Sequence, residues 1–455
     1  MRVPDIDKLL GIECYATTTP GIGGFIRRAI EDFVVEEILI DGSRARVNGE
    51  SDVPTFGGSL LGQDYLLCVL VKRGWDMFSA VNVLAKAIGI RAGQIDFGGI
   101  KDAHALTAQY VTVAGVSSDD VTSANVKDIR VQPLRRFHER LSSYFLLGNS
   151  FHVVIRGIPM FSSAIEDTIV KTVDEVAVLG GLPNFYGHQR FGTVRPITHL
   201  VGKALIKEDY REAAKLFLTH HSLLEHPESR HARMELEATL DYGGALKAFP
   251  VYLRYERLML SRLAEKPEDY VGAFRYLPVK LNFLFFQAYQ SYLFNRFLSQ
   301  RLMRGIPLNM AEEGDYVMHV DRLGIPMPKP VKVVDASNRL EINRAIKNGK
   351  MCVALPLVGV GQKTSRGIMG KIEEEVLSQE GTAPEDFRVD AKFAVKARGG
   401  LRAAVTPVKD FSIVEAGRNY EGGWVTTCFT LLRGSYATVL LREIMKPEDP
   451  VKSGF

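Results

Sequence analysis

The chain has 455 residues, of which 46% are hydrophobic and 24% are charged, and its formal net charge is +4. This length predicts two or three domains rather than one common core. The composition excludes a largely disordered chain. The small positive charge permits a polyanionic partner such as a nucleic acid without requiring one.

Cysteine usage and hydropathy indicate the compartment. The four cysteines, at positions 14, 68, 352 and 428, are far apart and form no C-x-x-C pair. This spacing argues against a disulfide scaffold or a zinc knuckle and suits a reducing compartment. The longest apolar run, YLLCVLV at 65–71, is too short to span a membrane, and the first residues lack the apolar segment of a signal peptide. We therefore expect a soluble, cytoplasmic protein.

The first part of the chain mixes strand and helix patterns. Asp76 is placed to cap the start of a helix and Gly89 to end it. The strand segments are rich in β-forming residues and bounded by turn residues. Strands are predicted at 32–39, 64–71, 109–115 and 150–157, and helices at 76–89 and 162–180.

The pattern then breaks at GGLPNFYGHQRFGTVRP, residues 180–196. The following stretch is more helical, and the tail returns to a strand followed by a helix. Strand-forming sequence at both ends of a helical middle predicts an inserted domain, with the tail completing the first sheet. Helices are predicted at 207–221, 251–265, 281–305, 336–349 and 434–446, and a strand at 423–432.

The segment FGGIKDAHALTAQ, residues 97–109, carries the main candidate for chemistry. Asp102 could bind a metal, act as a general base, act as a nucleophile or simply cap a turn. Metal binding needs further ligands, and the neighbourhood supplies only His104. An ionised, partly buried carboxylate needs a cation nearby. Lys101 is adjacent and should point away, so Arg27 is the better candidate.

Three other segments allow competing interpretations. RVQPLRRFHER clusters basic residues that suit either a solvated surface or a nucleic-acid contact. VGVGQKTSRG, residues 358–367, suggests a phosphate-binding loop but lacks the full spacing, and it could instead contact RNA phosphates. The histidines at 220, 221, 226 and 231 lie in a polar, proline-containing stretch that favours a solvated connector over a zinc site.

Five ordered segments resemble one known family. GGIKDAHALTAQ resembles the G-x-K-D…T-x-Q signature of the TruD family of tRNA pseudouridine synthases. EDFVVEEI, GNSFHVVIRG, PNFYGHQRFG and LLRGSYATVLLRE match further family segments in the expected order. The resemblance implies an α+β fold with a mixed, largely antiparallel sheet, formed by residues 1–182 and 412–455 and interrupted by a mostly helical α+β insertion at 183–411.

The resemblance also implies roles for individual residues. Asp102 matches the family's nucleophile, with Arg27 as its ion-pair partner where bacterial relatives tend to have lysine. Tyr436 falls where the family places an aromatic ring on the target base, and bacterial relatives tend to have phenylalanine there. The remaining implied substrate contacts are Phe33, Asn149, Phe185, Gln189 and Arg190.

The implied activity is isomerisation of a tRNA uridine to pseudouridine. The family's usual target is uridine 13 of the D arm. This reaction breaks the glycosidic bond, rotates the uracil and rejoins it through C5, so it needs no cofactor or metal. Two other classes remain open. One is a non-catalytic RNA-binding or chaperone protein with the same basic cleft, and the other is a nucleotide-dependent enzyme built around 358–367.

Overall fold

The computed structural model describes residues 2–57, 64–388, 393 and 397–455. Its strands are β1 Phe33–Leu39, β2 Tyr65–Arg73, β3 Ile95–Phe97, β4 Leu106–Ala114, β5 Ile129–Phe137, β6 Leu146–Ile158, β7 Leu182–Pro183, β8 Tyr316–Val320, β9 Pro326–Val333, β10 Met351–Leu357, β11 Gly400–Ala403, β12 Val405–Thr406, β13 Val408–Asn419 and β14 Gly422–Leu432.

Its helices, numbered over the described residues, are α1 Asp5–Leu9, α2 Met77–Ile88, α3 Ser118–Thr122, α4 Ser162–Val178, α5 Thr198–Ile206, α6 Tyr210–Thr219, α7 Pro227–Thr239, α8 Tyr242–Ala248, α9 Arg254–Glu265, α10 Tyr270–Arg275, α11 Val279–Met303, α12 Arg339–Lys347, α13 Gly367–Glu380 and α14 Ala437–Met445. None of these helices is both long enough and apolar enough to cross a membrane.

An eight-stranded mixed sheet joins the two ends of the chain. Its strand order is β13-β14-β6-β1-β4-β2-β5, with β3 paired to β4. Only the β1–β4 pair is parallel among these described strands. The fold is therefore α+β with a largely antiparallel sheet, as the resemblance implies. Because β14 pairs with β6, the C-terminal strands extend the sheet that the N-terminal segment begins.

The continuous apolar run of β2 is explained by burial on both faces of the sheet. Leu66, Cys68 and Leu70 pack with helix α2 on one face. Leu67 and Val69, on the other face, belong to a separate core cluster. Successive side chains of a strand point to opposite faces, so a strand covered on both sides needs no polar alternation.

The predicted strands and helices are confirmed, including the cap of α2. The Asp76 carboxylate accepts a hydrogen bond from the Ser79 backbone N–H at 2.9 Å, and Gly89 ends the helix with φ 84°. The middle of the chain contains a second sheet of order β11-β10-β8-β9, in agreement with the predicted α+β character of this region. Two features were not predicted. The basic segment RVQPLRRF is strand β5, and His231 lies within α7 rather than in a connector.

A buried charged network fixes α14 to the start of the chain. Arg442 on α14 donates to the Asp7 carboxylate of α1 at 2.5 Å, and the same carboxylate lies 2.8 Å from Nε2 of His188. Burial raises the pKa of Asp7, but the charges of Arg442 and His188 outweigh burial and the net shift is downward. The network positions the helix that follows Tyr436.

Candidate active site

A cavity of about 580 Å³ opens between the main sheet and the start of α14. It gathers every predicted site residue except Phe185, although these residues are spread from position 27 to position 436. Phe185 is 1% exposed and belongs to the hydrophobic core, so its predicted contribution to the cleft is not met by the geometry. The predicted residues that line the cavity are Arg27, Phe33, Asp102, Asn149, Gln189, Arg190 and Tyr436.

Asp102 lies on the loop between β3 and β4, and its side chain is about one-third exposed. The buried Gln109 on β4 donates to the Gly99 carbonyl at 3.1 Å, which fixes the start of this loop. The carboxylate is therefore held in place and still accessible from the cavity. An adjoining cavity, of about 500 Å³, also includes Asp102 and adds His104, Val194 and Phe455 to its lining.

Arg27 is the ion-pair partner that the sequence predicts for Asp102. Its Nη2 atom lies 3.7 Å from Asp102 Oδ1, and its Nη1 atom donates to the Gly454 carbonyl at 2.6 Å. The guanidinium also lies over the ring of Phe33, 4.0 Å from its centroid. Arg27 has a positive φ of 58°, a conformation that non-glycine residues rarely adopt. Burial lowers its pKa, and the charge of Asp102 opposes that change.

Phe33 lines the cavity, at the position that the resemblance implies, and also supports Arg27. Its side chain is 1% exposed and its ring packs edge-on against Phe151. Because Arg27 covers the ring, Phe33 forms a platform for the guanidinium rather than an open stacking surface. A cation on an aromatic face is stabilised by the ring quadrupole, and more so when water is excluded.

Lys72 is a site residue that the sequence reasoning missed. It is fully buried on β2, and its ammonium donates to the backbone carbonyls of Trp75 and Asp102, both at 2.7 Å. Burial lowers the pKa of Lys72 to about 8, the charges of Asp102 and Asp76 oppose this shift, and Lys101 adds to it. One sequence signal could have revealed this residue. Lys72 ends an otherwise apolar strand that enters the core, where lysine is rare.

Lys101 points away from Asp102, as expected for adjacent residues. Its ammonium lies 2.8 Å from Glu37 Oε1 and donates to Asn149 Oδ1 at 2.6 Å. Glu37 and Asn149 are directly paired in the β1–β6 register, so this buried group lies at the base of the cavity. Lysine can only donate, so the Asn149 oxygen must face it and the amide nitrogen remains as a donor.

Tyr436 forms an aromatic wall of the cavity. It is the N-cap residue of α14, and its ring packs against Tyr186 at 6.0 Å with an interplanar angle of 62°. Burial raises the pKa of Tyr436, with Arg190 and Arg402 opposing and Tyr186 and Asp102 adding to the rise. Its hydroxyl is therefore neutral at physiological pH, and the ring can offer a flat apolar surface.

Gln189 and Arg190 are held by neighbouring helices. Gln189 accepts a hydrogen bond from the Thr438 hydroxyl at 3.1 Å. Arg190 donates to Ser291 at 3.1 Å and to Gln287 at 3.2 Å, both on α11. Because neither partner of Arg190 is a carboxylate, its positive charge remains available to an anionic ligand.

The basic cluster at 130–140 has mainly structural contacts. Arg130, Arg135 and Arg136 donate to the backbone carbonyls of Val47, Phe56 and Val116. These arginines tie β5 to neighbouring loops, which the sequence pattern could not distinguish from a nucleic-acid surface. Within the described residues, no group of three or more histidine, cysteine, aspartate or glutamate side chains is arranged to hold a metal ion.

Comparison with known proteins decides the family. The family model described as "tRNA pseudouridine synthase D (TruD)" matches residues 9–444. The chain belongs to the TruD family. The family's enzymes are isomerases, so this TruD chain is placed among the pseudouridine synthases, and the resemblance predicted from its motifs is confirmed.

The individual relatives match this TruD chain along its length. A Methanosarcina mazei protein named "Probable tRNA pseudouridine synthase D" is 36% identical over 447 residues, covering 98% of each chain. A Pyrococcus abyssi protein with the same name is 36% identical over 432 residues, covering 95% of this chain and 98% of the relative. The crystal structure of the TruD protein from Methanosarcina mazei matches with a TM-score of 0.80, covering 99% of this chain and 100% of the other.

Proposed function

We propose that this chain converts uridine 13 in the D arm of tRNA to pseudouridine, with Asp102 as the nucleophile. The observation that carries the proposal is the convergence of an accessible carboxylate, a buried arginine 3.7 Å away and an aromatic wall on one cavity. We also propose that the catalytic domain comprises residues 1–182 and 412–455, that residues 183–411 form the insertion, and that the enzyme acts in the cytoplasm.

The reaction begins when the target uridine leaves its base stack, which costs a few kcal/mol. Stacking on the ring of Tyr436 returns about 1–3 kcal/mol. The amide nitrogen of Asn149 and the guanidinium of Arg190 supply donors for uracil carbonyl oxygens or for phosphate. The cavity thus offers an apolar surface and directed hydrogen bonds to a flipped base.

Asp102 then adds through one carboxylate oxygen. Attack at C1′ of the ribose expels uracil with the electron pair of the broken N1–C1′ bond. Attack at C6 gives an adduct of the ring, whose N1–C1′ bond then breaks with its electron pair left on N1. In both routes the uracil rotates, a C5–C1′ bond forms, the Asp102 ester or adduct breaks, and the C5 proton is lost while N1 gains one. Atoms and electrons balance without an oxidant or a reductant.

Arg27 places a fixed positive charge 3.7 Å from the proposed nucleophile. Arg27 cannot lose its charge at physiological pH, and it is fixed by Gly454 and Phe33 before substrate arrives. Such a preorganised charge costs no rearrangement during the reaction.

The loop at 358–367 gives less support to a nucleotide-dependent enzyme. The Ser365 backbone N–H and hydroxyl, just ahead of α13, both donate to the Glu373 carboxylate, at 2.6 and 2.7 Å. These two donors of the loop are therefore engaged by a carboxylate of the chain and are not free for a phosphate. A Mg-dependent, specific binding of ATP or GTP would favour this rival.

The deciding experiment is carbodiimide mapping of pseudouridine in transcribed tRNA incubated with purified enzyme and no added cofactor. We expect one modified uridine, at position 13 of the D arm, with wild-type protein and none with Asp102→Asn, while tRNA binding persists. Asp119→Asn is the matched control, because Asp119 is an exposed residue at the start of α3. Conversion of uridine by Asp102→Asn would overturn the assignment of Asp102 as the nucleophile. If Asp102→Asn kept the protein's function in cells without forming pseudouridine, an RNA chaperone would be favoured.

A further inference from the structure

A second large cavity lies away from Asp102, between α12 and the strands around it. Its volume is about 890 Å³, larger than the catalytic cavity. Apolar side chains form much of its lining, among them Leu308, Met310, Leu340, Met351 and Val405. A cavity of this size and character is typical of ligand sites, and the proposed function gives this cavity no role.

One face of α12 points into this cavity. Leu340, Asn343, Arg344 and Lys347 are spaced i, i+3, i+4 and i+7, and all four contribute to the lining. The buried Ile342 lies on the opposite side of the helix, against the core. Leu340 is 67% exposed, so its side chain is accessible to a ligand that enters the cavity.

The charge around the cavity is of one sign. Its lining includes Arg344, Lys347 and Lys409 and no aspartate or glutamate among the described residues. Across the described part of the chain, no carboxylate lies within ion-pair distance of these three cations, and Lys409 donates only to the Leu323 carbonyl, at 3.3 Å. Arg344 and Lys347 lie in the last turn of α12, where cations interact favourably with the helix dipole. Lys409 lies on β13, so the dipole does not explain why all three cations line the cavity.

The cavity is separated from the catalytic site by strand β12. Thr406 accepts a hydrogen bond from the Ser435 hydroxyl at 2.8 Å, and Ser435 lines the catalytic cavity. Val405, the preceding residue, lines the second cavity. The two cavities therefore lie beside neighbouring residues of the same strand.

We propose that this cavity binds an unstacked nucleobase of the bound tRNA, with flanking phosphates held by Arg344, Lys347 and Lys409. A largely apolar cavity whose described lining has cations and amides but no carboxylate matches a nucleotide, which joins a flat aromatic base with polar edges to an anionic phosphate. The inference rests on the proposed function, because it takes tRNA as the ligand.

The first test is a charge reversal. We expect Arg344→Glu/Lys347→Glu to weaken tRNA binding about tenfold and to reduce the slope of log affinity against log salt by about 2, one for each phosphate contact. Conversion at saturating tRNA should stay at the wild-type rate, which separates this proposal from the proposed function. The matched control is Lys171→Glu/Lys247→Glu, two exposed lysines outside the cavity lining.

The second test locates the RNA. A cysteine introduced by Leu340→Cys should react rapidly with a maleimide, and bound tRNA should slow that reaction at least about fivefold. The native cysteines are buried or half-buried and burial raises their pKa, so they react slowly. Val251→Cys, at a position that is 80% exposed and outside the cavity, is the control and should not be protected.

Unchanged salt dependence in the double variant, together with no protection at Leu340→Cys, would overturn the proposal. Protection that survives at high salt and in the double variant would also contradict it, because phosphate contacts must contribute. If a protein or lipid extract protected the thiol while tRNA did not, the cavity would belong to a different ligand.

Discussion

Arg27 and Asp102, which both line the cavity proposed as the active site, form an ion pair with 3.7 Å between Nη2 and Oδ1. The same guanidinium donates to the Gly454 carbonyl and covers the ring of Phe33. The separation from Asp102 is longer than a hydrogen bond, so the arginine acts on the carboxylate mainly through its charge. Its position depends on contacts other than Asp102, which leaves the carboxylate free to reach substrate.

The first prediction concerns this charge. We expect Arg27→Ala to reduce kcat by roughly 10²–10³-fold with little change in tRNA affinity, because a fixed cation beside the reacting group is lost. Arg27→Lys should recover part of kcat, since it keeps the charge but not the fork-shaped donor. Single-turnover kinetics of conversion measure this. Arg28→Ala, whose guanidinium lies over Phe25, is the control and should keep kcat.

The second prediction concerns the backbone that holds Arg27. Gly454 has φ 92°, and a Cβ there would lie 2.3 Å from the Ile26 carbonyl oxygen. Gly454→Ala should therefore displace the carbonyl that receives Arg27 and lower kcat about tenfold or more. Gly49 also has a positive φ, 77°, but a Cβ there would meet no atom within 4 Å. Gly49→Ala should cost about 1–2 kcal/mol of stability and leave kcat unchanged.

The third prediction concerns Lys72 and pH. Its pKa of about 8 means that the ammonium is charged below that pH and loses its charge above it. We expect wild-type kcat to fall as pH rises through 8, because the cation bound to the Asp102 carbonyl is lost. Lys72→Met should lower kcat by roughly 10–100-fold at pH 7, because the loop loses its anchor, and should lack this alkaline fall.

A pH–rate profile of both proteins, with thermal unfolding recorded at each pH, checks the Lys72 prediction. An identical alkaline fall in wild-type and Lys72→Met would assign the fall to another group, such as the substrate itself.

The fourth prediction concerns stability in acid. Burial lowers the pKa of His199 from 6.5 to about 4, the Leu9 backbone and Glu380 oppose the shift, and Lys203 adds to it. The folded state thus disfavours protonated His199, so its contribution to stability is complete above pH 6.5 and is lost as pH falls towards 4. Between pH 7.5 and pH 5 the loss is about 2 kcal/mol.

His199→Phe should remove that loss. The histidine ring lies between Phe191 and Tyr292, at centroid distances of 5.2 and 5.1 Å, and a phenyl ring can occupy this aromatic site. Urea unfolding of both proteins at the two pH values measures the difference. An equal acid loss in the variant would show that other groups, such as Asp7, dominate.

The sequence predicted the secondary structure best where the pattern was local. The Asp76 cap, the Gly89 stop and the uninterrupted apolar run of β2 follow from backbone and burial preferences within a few residues. The α+β character of the middle region was predicted, but the individual strands of its sheet were not assigned, and β9 shows why. Strand β9, with sequence PMPKPVKV, is exposed along most of its length and carries three prolines, so it has no apolar alternation.

The sequence by itself determined the family and singled out Asp102 and most of the residues that line its cavity, because the ordered motifs carry these residues. Only the tertiary structure decided which of these residues meet and how. It placed Phe185 in the core, turned Phe33 into a platform for Arg27, and brought Lys72 under the Asp102 loop. The physical reason is that burial, ion pairing and cation–π contacts depend on distances between segments far apart in the chain, which no local pattern encodes.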